Sequence, residues 1–212
     1  MSVKDIRETI EAAIHAEKAG GQLRGRLTEE LPRLQDKLVL PSEAPVDALM
    51  AFISSYIESV PAALSLVTAL SKRLGFFDYA APFLHMAEDF FLQPPKELND
   101  EIGLGALLDE AFLAHRLMEE VNDHHVRQLH RPLLPMDMTE ANIIVHHLLQ
   151  DPLATRLEQL VQLAASELLH REHLWQPLKD LPGSEPAVEP GLINSQALLQ
   201  QASGIRLRLS AC

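Results

Sequence analysis

Residues 104–130, LGALLDEAFLAHRLMEEVNDHHVRQLH, decide how this chain is read. The stretch has no internal proline and stops before Pro132 and Pro135, so it reads as one long helix. Between Asp109 and His130 it gathers four of the ten histidines and five carboxylates. Imidazole and carboxylate at helical spacing suit three things: a metal site, an acid–base site or a buried polar network. Advancing 100° per residue separates the groups, with Leu107, Ala111, Met118 and Leu129 marking the centre of the apolar face. On that wheel His115 and Asn122 fall within roughly 40° of the centre and His125 about 40° to the other side. Glu119 stands about 80° out, at the edge; Asp123 lies further round and His124 faces the opposite way. The inward polar set is therefore His115, Glu119, Asn122 and His125, and the other acids are expected to face solvent.

The neighbouring segments carry the same period. Val3, Ile6, Ile10, Ala13 and Ile14 predict a first amphipathic helix that ends at Gly20-Gly21. Leu23, Leu27, Leu31, Leu34 and Leu38 predict a second, divided by Pro32. A third begins near Pro45, follows the stripe Leu49, Met50, Ile53, Tyr56, Ile57 and Val60, and is kinked or split by Pro61 before continuing from Ala62 to Arg73. Pro82 to Leu92 buries Phe83, Leu84, Ala87, Phe90 and Phe91. Asp137 and Glu140 have capping-box spacing ahead of a short helix reaching about Gln150, and Asp151-Pro152 opens a last long helix, Leu153 to Trp175. From Gln176 onward Pro177, Pro182, Gly183, Pro186, Pro190 and Gly191 mark a linker, with a short helical piece over Leu192–Gln201. Ile205–Leu209 alternates apolar and basic residues, so it reads as a lone strand without a partner in the chain. It is a tail packed on the bundle, a pairing edge for another subunit, or disordered. The expected fold is all-α: an irregular bundle of six or seven helices over residues 1–175, little or no sheet, and a Pro-rich C-terminal tail over residues 176–212.

Bulk chemistry narrows the function classes. The chain has 212 residues, 47% hydrophobic and 23% charged, which is ordinary globular composition with enough length for a sizeable core. A formal net charge of −12 argues against general affinity for nucleic acid or anionic membrane, since Arg24/Arg26, Lys72/Arg73, Arg127/Arg131 and Arg206/Arg208 are scattered pairs. The one cysteine, Cys212, permits neither an internal disulfide nor a cysteine zinc site. The N-terminus is charged, and the longest uncharged run, Ser59 to Ser71, is shorter than a membrane span of about 20 residues. A cytoplasmic protein is the expectation.

Four further groups complete the list of candidates. Glu17 falls near the middle of the first helix's stripe and points at the bundle if the helix runs that far. His147 sits at the margin of an apolar face, with His146 outside it. Glu167 and His170 have the Glu-x-x-His spacing of helical di-iron carboxylate proteins, but His170 points roughly 130° from the inward direction. His85, beside Glu88 and Asp89, lies opposite Phe83, Ala87, Phe90 and Phe91. No glycine-rich phosphate loop, Gly-x-Ser-x-Gly elbow, His-Glu-x-x-His motif or Asp-x-Asp-x-Asp-Gly loop occurs.

Two functions fit this pattern. The first is a non-catalytic module that binds a protein partner or small ligand, needs no cofactor, and holds a structural His/Glu/Asn network. The C-terminal tail then serves interaction or homo-oligomerisation. The alternative is a metal-dependent helical enzyme or metal-binding protein with one Fe, Mn or Zn ion, in which His115 and Glu119 are ligands completed by Glu17, Asp123 or His147. A third arrangement, His115 as a general base oriented by Glu119, needs no metal but names no substrate.

Overall fold

A computed structural model describes residues 3–93, 103–129, 137–169 and 204–208. Among them the chain is all-α, with seven helices and one two-stranded sheet. The helices are α1 (Val3–Gly20), α2 (Gln22–Lys37), α3 (Pro45–Leu74), α4 (Phe77–Leu92), α5 (Leu104–Leu129), α6 (Thr139–Leu149) and α7 (Asp151–Leu169). The strands are β1 (Leu38–Val39) and β2 (Arg206–Leu207), antiparallel, with Leu38 opposite Leu207 and Val39 opposite Arg206. The end of the last helix at Trp175, the Pro177–Gly191 linker, the Leu192–Gln201 piece and His170 lie outside the described residues.

Helix α5 is the axis of the bundle. It packs against α1, α3, α4, α6 and α7, and every residue from Leu107 to His115 is buried. A helix enclosed on all sides has no solvated face. That corrects the expectation drawn from one apolar stripe: Asp109 and Glu110 are buried, not solvated. Ala111 and Ala114 let the neighbouring helices approach closely, while Phe112, Leu113 and Leu117 fill the space between them.

Proline does not divide the helices as the sequence suggests. Helix α2 runs through Pro32 and α3 through Pro61. Each proline removes one N–H from the ladder, a local cost that burial of the same helix outweighs: Phe52, Ile53, Tyr56, Ile57, Val60, Leu64 and Val67 of α3 are all in the core. Helix α4 likewise begins at Phe77, a turn before Pro82, and thereby buries Tyr79 and Ala80. Gly75 ends α3 at φ +78°, donating to the Lys72 carbonyl while Phe76 N–H donates to that of Ser71 at 2.9 Å. Left-handed backbone of this kind is the reason glycine stands there. By length and composition α3 is the one described helix apolar enough to cross a membrane, yet half of its apolar window is buried inside the bundle.

The tail segment has a partner in its own chain after all. Ile205 is fully buried in the same core as the helices, and β2 pairs with β1 and touches α6. The partner has no sequence signal, because Leu38 reads as the end of the second helical stripe.

Candidate functional site

The inward polar residues of α5 meet α3, α6 and α7 in one connected network. Tyr56 of α3 lies against His115, with ring centroids 4.6 Å apart. Its hydroxyl donates to Asn142 Oδ1 at 2.6 Å, and Asn142 Nδ2 donates to Glu119 Oε2 at 2.6 Å. Arg116, one turn before Glu119, pairs with the same carboxylate oxygen, and Thr139 Oγ1 donates to Glu119 Oε1 at 3.0 Å. On the far side Arg116 Nε stands 3.9 Å from Glu158 of α7, which is 3.2 Å from His146 Nδ1. Asp137 Oδ1 accepts the Thr139 N–H at 3.0 Å, so the turn before α6 fixes where Thr139 and Asn142 begin their approach to Glu119.

Burial sets the ionisation of these groups. The Tyr56 hydroxyl is pushed well above its usual range, first by desolvation and then by the Glu119 charge, so it remains a donor. Desolvation lowers His115 to about 4, against a smaller opposing effect from its bond to the Tyr56 carbonyl. His115 Nε2 is 2.9 Å from Ser59 Oγ and 3.2 Å from the Tyr56 carbonyl, and Ser59 Oγ donates to that carbonyl at 2.7 Å. With the serine proton on the carbonyl, Nε2 must carry the imidazole proton, leaving the lone pair on Nδ1. That nitrogen is buried with no hydrogen-bond partner. The Ser59–His115 contact therefore lacks the proton direction of a nucleophile–base pair, in which the histidine accepts from the hydroxyl.

No protein family matches this chain, and no curated protein or solved structure does.

The remaining candidates lie elsewhere. His125 sits toward the C-terminal end of α5, where its Nδ1 bonds the Val121 carbonyl at 2.7 Å and its ring meets Tyr79 edge-on at 5.2 Å. Burial, opposed by the Val121 bond and aided by His124, lowers its pKa. Asn122 is half-buried and Asp123 exposed. Glu17 does not approach His115: its carboxylate accepts the N–H groups of Leu23 and Arg24 at 3.1 and 3.0 Å, capping the start of α2. His147 is half-buried; burial, then the His146 and Lys37 charges, lower its pKa against the opposing Asp151 carboxylate. Among the described residues no three His, Cys, Asp or Glu side chains are grouped so as to hold a metal ion. His85 and Glu167 are exposed.

Several participants had no sequence signal of their own. Tyr56 reads as one more stripe residue, and Ser59, Arg116 and Asn142 carry no pattern that singles them out. Only the pairing of α3 and α6 with α5 reveals them. Glu110 is the sharpest omission: desolvation, then repulsion from Asp109, raises it to about 8.

Two outcomes follow. Tyr56→Phe is expected to cost about 1 kcal/mol and Asn142→Ala about 2–3 kcal/mol in urea unfolding, because the latter strands both the phenol and a Glu119 oxygen. The double variant should cost less than their sum by about 1 kcal/mol; strictly additive losses contradict the network. For pH, the folded state binds more protons than the unfolded at Glu110 between about 4.5 and 8, so stability falls with rising pH there. At His115 it binds fewer between about 4 and 6.5, so stability is lost as pH falls through that window. The two oppose below pH 6.5; from there to pH 8 only Glu110 acts, giving a decline of about 2 kcal/mol. Glu110→Gln should abolish that decline, and a variant that still shows it refutes the assignment.

Proposed function

We propose that this chain is a non-catalytic helical binding module whose His115/Glu119/Asn142 network is architecture and not a reaction centre. One observation carries the reading: both Glu119 oxygens are already occupied, by Arg116, Asn142 and Thr139. A metal ligand or general base needs a free lone pair directed at a site where a substrate or ion can stand. His115, 1% exposed and neutral near pH 7, keeps its unbonded Nδ1 lone pair inside the core and supplies a hydrogen bond and ring contact. Side chains from four helices meet in this network, which fixes the register of α6 and α7 on α5.

The module's partner is a protein or small ligand, and the net charge of −12 disfavours a nucleic acid. A cytoplasmic location accords with a single thiol and no disulfide. The metal-dependent alternative differs from this reading in one measurable way. Calorimetric titration of the full chain with Zn²⁺, Mn²⁺ and Fe²⁺ should show no stoichiometric uptake that depends on Glu119. One equivalent bound by the wild type and lost in Glu119→Gln and His115→Ala, with both variants still folded, overturns the proposal.

A further inference from the structure

Helix α7 offers two faces to a neighbour, and the bundle uses one. Ala154, Leu157, Val161, Ala165 and Leu168 are buried where α7 packs on α5, α6 and α4. About 120° round the helix runs a second line, Leu153, Arg156, Leu160, Leu163 and Glu167, spaced alternately three and four residues apart. That alternation, sustained over two heptads, is the spacing of a coiled-coil seam. Leu163 is 66% exposed, more than any other large apolar side chain among the described residues; Val39, Val126 and Ile143 follow at 41–43%. Leu153 and Leu160 are half-buried, and Arg156 and Glu167 are exposed. The Arg156 and Glu167 side chains form no ion pair among the described residues. A single exposed leucine needs no explanation. A leucine in the middle of a heptad seam, flanked by unpaired opposite charges, marks a helix face that lacks its partner.

The order of residues along this seam selects the partner. Arg156 stands four residues before Leu160 and Glu167 four residues after Leu163, so reversing the line exchanges the two leucines and exchanges the two charges. An antiparallel copy, related by a two-fold axis midway between Leu160 and Leu163, sets Leu160 against Leu163 and Arg156 against Glu167, and makes each contact twice. A parallel copy brings Arg156 against Arg156 and Glu167 against Glu167, so the charges reject it. The face is complementary in charge to itself, which singles out a second copy of this chain. We propose that this face of α7 is a homodimer interface, the two copies pairing antiparallel about Leu160 and Leu163 with Arg156–Glu167 ion pairs at both ends. The seam carries one positive and one negative charge per copy and adds no repulsion of its own. The net charge of −12 is spread over the molecule and opposes association at long range, an effect that physiological salt confines to about 8 Å. Two heptads make a small contact, so the dimer is weak and reversible. Naming a second copy goes beyond the reading of the chain as a binding module, and no residue of the seam belongs to the His115–Glu119 network.

Sedimentation velocity on the full chain in physiological salt, over a concentration series, tests the interface. The wild type should pass from monomer to dimer within a range ending on the order of 0.5 mM, and Leu163→Asp should stay a monomer throughout. Glu167→Arg replaces one negative charge by one positive, taking the net charge from −12 to −10. Relief of general repulsion would make that variant associate more strongly. The seam, with two positive charges now meeting at each end, makes it associate more weakly, by about tenfold or more. Arg156→Glu combined with Glu167→Arg restores both ion pairs in the swapped sense and should recover dimerisation to within about threefold of the wild type. All three positions are exposed, so circular dichroism should match the wild type in every variant. Should Leu163→Asp not fold, the charge variants carry the test under the same criteria. A wild type that stays monomeric across the series overturns the proposal and leaves the face to another partner. So does a Glu167→Arg variant that dimerises as well as the wild type, or a double variant that fails to recover.

Discussion

The absence of any solvated face along the first half of α5 is the constraint on which the other features depend. Nine consecutive residues, Leu107 to His115, are buried, so each polar group among them meets protein and not water. One turn further on Glu119 is partly buried, and its carboxylate is met by several donors. Arg116, Asn142 and Thr139 supply them. Two of the three come from α6, so satisfying one carboxylate also fixes a helix.

The same enclosure sets the ionisation of the reactive side chains buried along and against α5. Desolvation drives His115 towards its neutral form and Glu110 towards its protonated form, and it holds Tyr56 as a phenol. Perturbed groups of this kind often mark active sites. Here the His115 and Tyr56 rings pack on one another in the core, and the nearby apolar cleft lined by Leu64, Val67, Phe83 and Met118 carries none of them. Enclosure accounts for the shifts without a substrate.

Much of the fold was legible because helical period survives in each segment: α1, α5 and α6 lie close to their expected spans. What failed to read through did so for specific reasons. Pro32 and Pro61 signal breaks locally, but a helix buried along its length tolerates one missing N–H. Asp109 and Glu110 were assigned to solvent because a wheel with one apolar stripe presumes one wet face. Glu17 falls on the apolar stripe of α1, but its carboxylate caps the start of α2 through the Leu23 and Arg24 N–H groups. His115 and Glu119 do belong to one network, but their connection passes through Tyr56 and Asn142, on helices 59 and 23 residues away in sequence. Long-range pairing of that kind leaves no periodic trace.

The central claim, that α5 is the enclosed axis on which the other helices depend, is tested most directly by native-state hydrogen exchange. Amides from Leu108 to Leu117 should exchange only through global unfolding, with the same free energy and denaturant dependence as the whole molecule, while those of α7 exchange through smaller openings. If the Leu108–Leu117 amides open at a free energy below that of α7, the axis lies elsewhere and the account fails.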